Sequence, residues 1–269
     1  MNTCAYWRIL RVSNGFLALF AVVVGAVVSG AGMDSFVLIV YLALSVFLIS
    51  GAGIILNDYY DYENDKINAP NRPLPSGQIS KRSALIYAAV LFAAGIALAG
   101  FVNIYVLGLA VLNTVLEFLY AWKLKPIALL GNTVDSWFAA SSFLYGALIT
   151  LDFEIVWLLI AMSFFANLGR EIYGDIEDVA GDKKAGAKTL PILIGGRKAT
   201  LAAQAAIIIA IILSVLPYTQ GYFGLRYLAP ILVANGLFIQ SLFQDAHTNQ
   251  KTTKRAMLVA LVAFLIGVV

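Results

Sequence analysis

Long apolar stretches separated by short polar segments dominate this chain. A helix needs roughly 20 apolar residues to cross a hydrocarbon core of about 30 Å, and most of these stretches have about that length. Eight of them lie near residues 15–33, 36–56, 83–101, 104–121, 132–151, 155–173, 199–217 and 223–243. A ninth begins at Ala256 and reaches Val269. The pattern therefore predicts nine transmembrane helices.

The composition supports the same interpretation. Hydrophobic residues make up 61% of the 269 positions, charged residues only 12%, and the mean hydropathy is +0.87. These values exclude a soluble globular domain and indicate an all-α membrane protein. Because no linker or low-complexity segment interrupts the pattern, we expect one domain, residues 1–269.

The basic residues predict the orientation in the membrane. With nine spans, the N-terminus and the loops after spans 2, 4, 6 and 8 share one side, and all of the 18 basic residues except Arg226 fall there. Lys and Arg concentrate in short cytoplasmic loops. We therefore expect a multi-pass protein of the cell membrane with a cytoplasmic N-terminus. The net charge of +3 then reflects topology and lipid contact, not binding to nucleic acid.

Two acidic clusters share one spacing. Three aspartates in the first cluster recur 117 residues later, and the six residues are Asp58, Asp61, Asp65, Asp175, Asp178 and Asp182. On a continuous helix, offsets of 0, 3 and 7 place three carboxylates on one face, where they repel unless a cation lies between them. The pattern predicts a divalent metal site on the cytoplasmic side.

The repeat extends beyond the aspartates, because Leu74-Pro75 recurs as Leu190-Pro191. This predicts two four-helix repeats plus a ninth helix, arranged around a central cavity. Four spans is an even number, so both copies would insert with the same orientation and place both clusters at one membrane face.

The polar segments also predict where helices end. Pro70, Pro73 and Pro75 should stop the first acidic helix near Asn68. The second should continue out of the bilayer and end before Gly186. We expect His247, the only histidine, to lie solvated in a polar loop, which argues against histidine or zinc chemistry.

Carboxylates too few to enclose a metal by themselves suit Mg²⁺, which retains waters and accepts phosphate oxygens of a substrate as ligands. A diphosphate substrate follows from this. Arg72 and Lys188 occupy similar positions after the two clusters and could contact phosphate oxygens. Either residue could instead be an ordinary cytoplasmic cation without a ligand.

Polar residues also lie within the predicted spans near the cytoplasmic boundary. Asn113, Glu117 and Tyr120 share one helix face, and ionisable residues at such depth usually line a cavity or form pairs. Glu117 could pair with Lys123 or Lys125, or it could contact a substrate. Both interpretations stay open.

With the motifs NDYYDYEND at 57–65 and DVAGD at 178–182 in view, the chain resembles the UbiA-type membrane prenyltransferases, whose signatures are NDxxDxxxD and DxxxD. The trailing segments RPLPSG at 72–77 and GAKTLP at 186–191 agree as well. The resemblance covers nearly the whole chain.

The resemblance implies Mg²⁺-dependent transfer of a prenyl group from its diphosphate to an acceptor, inside a cavity open to lipid. It also implies catalytic metal ligands, which would be Asn57, Asp61, Asp65, Asp178 and Asp182. Asp58 and Asp175 match the family's metal ligands less clearly. By this resemblance they would support the ligands from behind.

Three further segments indicate a branch of this family: REIYGDIED at 170–178, YAWKLKP at 120–126 and GN at 131–132. They are similar to the branch that joins a geranylgeranyl group to geranylgeranylglyceryl phosphate, making the second ether bond of archaeal membrane lipids. A phosphorylated acceptor would give the nearby polar residues a ligand; these are Lys123, Lys125, Arg170 and Tyr120.

Two other functions stay open at this stage. The first is a related enzyme that prenylates an aromatic ring for a quinone, tocopherol-like or chlorin product. The second is a divalent-cation transporter, although its site would be expected near the bilayer midplane, where this sequence has few acids.

Overall fold

The computed structural model describes the backbone of residues 3–268 and the side chains of these residues except 3, 12–14, 67 and 68. Within that range the chain is helical and forms no strand, which confirms the all-α class. The helices are α1 (Thr3–Ile9), α2 (Val12–Val28), α3 (Phe36–Tyr60), α4 (Tyr62–Asn68), α5 (Lys81–Gly100), α6 (Ile104–Leu119), α7 (Leu130–Ala147), α8 (Val156–Lys184), α9 (Leu190–Ile194), α10 (Gly196–Leu213), α11 (Leu216–Thr219), α12 (Leu225–Ser241) and α13 (Ala246–Val268). A π-helical segment, Tyr120–Leu124, follows α6.

Several helices have the length and apolar composition of a membrane span. Within residues 3–268, four segments meet both conditions: Met33–Tyr60, Lys81–Gly100, Ile104–Leu124 and Gly196–Thr219. Other long helices, such as α8, carry charged residues near one end. The total of nine spans stays a prediction.

The ends of the two acidic helices agree with the sequence, but the course of the first one does not. α4 ends at Asn68 and α8 ends at Lys184, as predicted. However, α3 stops at Tyr60, and Asp61 is both its C-cap and the N-cap of α4. The prediction of one continuous helix through the first cluster is therefore wrong. The Asp61 side chain makes no cap hydrogen bond to α4, so side-chain capping does not explain the break; Asp does have a low preference for helix interiors.

The last helix begins earlier than the hydropathy predicts. α13 starts at Ala246, ten residues before Ala256, so His247 lies in its first turn and not in a loop. The expectation of a loop at His247 was wrong because hydropathy locates only the apolar part of a helix, whereas α13 begins with two and a half turns of polar residues. The expectation of a solvated side chain is confirmed, since the His247 side chain is 60% exposed.

The chain divides into two compact units by its contacts, residues 1–23 with 33–124 and residues 24–32 with 125–269. In the first unit, α3 packs against α5 and α6. Gly95 of α5 permits the close approach to α3, because a Cβ there would lie 2.7 Å from Ile49 and 3.0 Å from the carbonyl oxygen of Ser45. Ser45 Oγ also donates to the Gly95 carbonyl at 2.7 Å. Small residues and such hydrogen bonds hold helices together where lipid supplies no hydrophobic force.

In the second unit, α8 is the central helix and packs against α7, α10 and α13, while α12 packs against α13. Gly169 of α8 lies so close to α10 that an added Cβ would meet the Ala203 carbonyl oxygen at 2.8 Å. A buried cluster that includes Ile172, Tyr173 and Ala256 lies beside this contact. α8 is thus held on several sides before it reaches the second acidic motif.

Candidate functional site

The first motif occupies the end of α3 and the short helix α4. Asn57 and Asp58 lie in the last turn of α3, Asp61 at the junction and Asp65 on α4. The backbone hydrogen bonds continue across the junction, since the Asp61 N–H donates to the Asn57 carbonyl at 2.9 Å and the Asp65 N–H to the Asp61 carbonyl at 2.8 Å. The motif therefore keeps an almost helical path despite the break.

Arg72 pairs with the carboxylates of this motif. Its Nη1 donates to both carboxylate oxygens of Asp65, at 2.7 and 2.6 Å, and lies 3.6 Å from Asp58 Oδ1. The segment that follows α4 therefore returns its guanidinium to the carboxylates, and the phosphate contact of Arg72 stays a prediction.

Asp58 is almost fully buried, and Arg11 also forms an ion pair with it. Sequence reasoning missed Arg11, which lies 47 residues away in the turn before α2. Its φ of 44° is unusual for a residue other than glycine. Asp58 thus links the turn before α2 to the motif. A carboxylate that already pairs with an arginine suits a supporting role behind the metal ligands.

Asn57 contributes an amide oxygen to this motif. Its Oδ1 is buried and has no hydrogen-bond partner among the described residues. A buried polar atom without a partner is costly, and an amide oxygen is an ordinary ligand for Mg²⁺. The donor set of the first motif, one amide oxygen and carboxylates, therefore fits Mg²⁺.

A buried glutamate from α6 lies directly behind this motif. The Glu117 carboxylate lies against Gly53 of α3, one helical turn before Asn57, and a Cβ at position 53 would overlap with Glu117 Oε2. Any larger residue at position 53 would therefore require the glutamate side chain to move.

The second motif lies on α8. Asp175 accepts a hydrogen bond from Asn132 Nδ2 of α7 at 2.9 Å, and Asp182 accepts one from Thr189 Oγ1 at 3.1 Å. Asp175 is the counterpart of Asp58 in the sequence repeat, and each is bonded by a donor near the start of the preceding long helix. In the first unit that donor is cationic, whereas in the second it is a neutral amide.

The electrostatics of Asp175 favour a bound cation. Asp175 lies beyond the predicted span 155–173, and burial raises its pKa from 3.8 to about 6. The hydrogen bond from Asn132 lowers this pKa, while the charges of Asp182 and Asp178 raise it. A divalent cation among these carboxylates would relieve the repulsion.

Lys188 is anchored through its backbone beside the loop that precedes α7. Its N–H donates to the Pro126 carbonyl at 2.9 Å, and its own carbonyl accepts from the Ala128 N–H at 2.9 Å. The Lys188 side chain is exposed. Lys125, next to Pro126, is a charge that lowers the pKa of Asp175, so this loop adds a second cation to the second motif.

The other residues predicted to contact the acceptor substrate have different neighbours. Lys123 stacks over the Trp122 ring at 4.0 Å from its centroid, and Tyr120 is buried at the start of the π-helical segment. Arg170 bonds to Asn167 Oδ1 at 3.0 and 3.1 Å and pairs with Glu171.

Asp135 of α7 completes this polar cluster between α7 and α8. It accepts from Asn167 Nδ2 at 3.0 Å, and its Oδ2 lies 3.9 Å from Arg170 Nη2. Arg170 is therefore held by neighbouring side chains rather than extended into solvent.

Among the described residues, no three His, Cys, Asp or Glu side chains cluster closely enough to hold an ion. The divalent metal site predicted from the spacing of the aspartates therefore stays a prediction.

Known proteins resemble the chain over almost its full length. It is 40% identical to a protein of Thermococcus kodakarensis named digeranylgeranylglyceryl phosphate synthase, and the alignment covers 99% of each chain. A solved structure described as giving insights into the biosynthesis of digeranylgeranylglyceryl phosphate synthase in membranes is 34% identical, with a TM-score of 0.81 and coverage of 99% of this chain and 98% of that one.

A more distant likeness supports the fold. The structure of a UbiA homolog from Archaeoglobus fulgidus bound to GPP and Mg²⁺ has a TM-score of 0.71 at 19% identity, and it covers 97% of this chain and 100% of that one. Residues 18–266 match the UbiA prenyltransferase family. The chain belongs to the UbiA prenyltransferase family.

Proposed function

We propose that this protein transfers a geranylgeranyl group from geranylgeranyl diphosphate to geranylgeranylglyceryl phosphate, forming the second ether bond of archaeal membrane lipids. The observation that carries the proposal is the 40% identity, over 99% of both chains, to the digeranylgeranylglyceryl phosphate synthase of Thermococcus kodakarensis. Relatives named as synthases also favour an enzyme over a cation transporter.

The two aspartate motifs would hold Mg²⁺ through Asn57, Asp61, Asp65, Asp178 and Asp182. Bound Mg²⁺ neutralises a diphosphate and so makes it a better leaving group. The buried Asn57 Oδ1, which has no partner among the described residues, supports this set of ligands.

Asp58 and Asp175 act differently in this proposal. Each is already bonded to another helix or turn, through Arg11 and Asn132 respectively. They would fix the direction of the motif helices and leave metal binding to their neighbours.

Arg72 and Lys188 would bind the phosphate oxygens of the donor. Arg72 already donates from Nη1 to both oxygens of the Asp65 carboxylate, and a guanidinium donates equally well to phosphate oxygens. Since negative charge develops on the departing diphosphate, fixed cations stabilise the transition state more than the ground state.

The transfer needs no nucleophile from the protein. The acceptor hydroxyl oxygen forms a bond to C1 of the prenyl group while the bond from C1 to the diphosphate breaks, and the diphosphate leaves with the electron pair. The hydroxyl proton passes to the released diphosphate. The apolar helices exclude water, which would otherwise capture the allylic cation.

Four polar residues would bind the acceptor substrate: Lys125, Arg170, Lys123 and Tyr120. Lys125 lies beside the second motif, where a phosphate on the acceptor would find a cation. A cation at this place suits an anionic acceptor, and the phosphate of geranylgeranylglyceryl phosphate is such a group.

The membrane arrangement in this proposal has nine spans, formed by two four-helix repeats and α13. The N-terminus and both motifs lie on the cytoplasmic side. The position of every basic residue except Arg226 supports that orientation.

Separate reactions with each class of acceptor test the function. Purified protein is incubated with geranylgeranyl diphosphate and Mg²⁺, and with either geranylgeranylglyceryl phosphate or a hydroxybenzoate or naphthoate. We expect the diether lipid phosphate as product from the first acceptor only. Conversion of the aromatic acids without the lipid phosphate would replace this function by aromatic prenylation.

A further inference from the structure

The first turns of α13 form a rigid polar segment. Asp245 caps the helix, because its Oδ1 accepts from the Thr248 N–H at 3.1 Å. Asn249 is fully buried and donates through Nδ2 to the Ser241 carbonyl at the end of α12, at 2.7 Å. Thr253 Oγ1 in turn donates to Asn249 Oδ1 at 3.2 Å. This part of α13 is therefore fixed to α12.

Another face of this segment contacts α8. His247 Nδ1 lies 2.7 Å from Glu177 Oε1, and Gln250 Nε2 donates to Glu177 Oε2 at 2.6 Å. Both oxygens of the Glu177 carboxylate are thus held by α13.

The contact continues along both helices in antiparallel register. Gly174, one turn before Glu177, lies beside Gln250, since a Cβ there would be 3.6 Å from Gln250 Oε1. A further turn along, burial and the like charge of Arg170 lower the pKa of Lys254. The stripe of contact between the helices consists of Gly174 and Glu177 on α8 with Gln250 and His247 on α13, at spacings of three residues.

This stripe lies next to the second acidic motif. Glu177 directly precedes Asp178, and the last turns of α8 extend beyond the predicted span 155–173. Helix ends fray unless they are held, whereas a metal ligand must stay within about 0.5 Å of its working position. In the first motif, by comparison, Arg72 holds Asp65 directly.

We propose that His247 and Gln250 are positioning residues for the second motif. By holding both oxygens of Glu177, they fix the rotation of α8 and with it the direction of Asp178. This inference rests on the proposed function, in which Asp178 is a Mg²⁺ ligand. α13, the helix outside the two predicted repeats, would then act by holding the end of α8 in place.

The test compares the double variant His247→Ala/Gln250→Ala with Lys251→Ala, a change at an exposed residue of the same helix. The rate of prenyl transfer is measured against Mg²⁺ concentration. Loss of two hydrogen bonds should raise the half-saturating Mg²⁺ concentration about 5- to 10-fold, while the rate at saturating Mg²⁺ stays within about 2-fold. Lys251→Ala should behave as the wild type.

Two further variants separate positioning from a general loss of packing. His247→Asn keeps a donor near the position of Nδ1 and should restore most of the wild-type Mg²⁺ dependence. Glu177→Ala should reproduce the double variant, and combining all three changes should add little, because both donors act through one carboxylate.

Hydrogen exchange of residues 174–184 without Mg²⁺ gives a readout that does not depend on activity. Exchange should be faster in the double variant than in Lys251→Ala. If the double variant matches Lys251→Ala in exchange and in Mg²⁺ dependence, the positioning role is wrong, even when prenyl transfer is intact. If the wild type transfers no prenyl group but the double variant still exchanges faster, the proposed function fails and the positioning of α8 is retained.

Discussion

Among single residues, the equivalent aspartates of the two motifs have different neighbours. Asp58 is buried against Arg11 and Arg72, whereas its counterpart Asp175 is bonded to the neutral amide of Asn132. Two arginines therefore offset the charge of Asp58, whereas the half-buried Asp175 has a neutral hydrogen-bond donor and the charge of Lys125.

Removing one ligand charge should abolish turnover. Asp61→Asn and Asp182→Asn keep the shape of the side chain but delete its charge, so each should lower the prenyl transfer rate by about 100-fold or more. Circular dichroism and the elution volume in detergent should stay unchanged. A variant with near-normal turnover would remove that residue from the set of ligands.

The buried charge of Asp175 should make stability depend on pH. Its pKa is about 6 in the folded protein and 3.8 for the ordinary side chain, so the folded state binds the proton more tightly. Its favourable contribution is complete below pH 3.8 and is lost as the pH rises through 6.

Asp175→Asn should therefore raise the melting temperature in EDTA at pH 7 by about 2 to 6 °C, because the amide carries no buried charge. The advantage over the wild type should shrink as the pH falls from 6 to 4. Thermal unfolding of both proteins across this range checks the prediction. An equal difference at every pH would show that the charge of Asp175 has no part in it.

At the scale of helices, the sequence predicted the apolar segments and the ends of both acidic helices well. Proline and glycine act locally, so Pro70 and Gly186 could be read without the fold. The break at Asp61 and the early start of α13 at Ala246 could not, because neither changes the hydropathy. The partners of Glu177 lie 70 and 73 residues away, and no spacing rule connects them.

Close helix contacts should make the two glycines Gly95 and Gly108 respond differently to the same change. Gly95→Ala would place a Cβ 3.0 Å from a backbone oxygen of α3, whereas nothing lies within 4 Å of Gly108. We expect Gly95→Ala to lower the melting temperature and Gly108→Ala to leave it unchanged or raise it slightly, since alanine favours helix. Equal effects would mean that α3 and α5 do not depend on this contact.

At the scale of the whole molecule, the proposed orientation can be measured with cysteine labelling. Cys4 is the only cysteine in the sequence and is exposed. A maleimide that does not cross membranes should reach it only from the cytoplasmic side. In a Cys4→Ser background, Ser76→Cys and Lys184→Cys should label from that same side and Arg226→Cys from the opposite side. Labelling of 76 and 226 from one side would contradict the predicted topology.

Mg²⁺-dependent transfer to a lipid phosphate can be measured in one competition assay. Labelled geranylgeranyl diphosphate is supplied with equal amounts of geranylgeranylglyceryl phosphate and a hydroxybenzoate, with Mg²⁺ or with EDTA, and Asp61→Asn serves as the blank. We expect the label to enter the diether lipid phosphate with Mg²⁺ and to enter neither acceptor with EDTA. Label in the aromatic acid, or equal incorporation in EDTA, would contradict the proposed function.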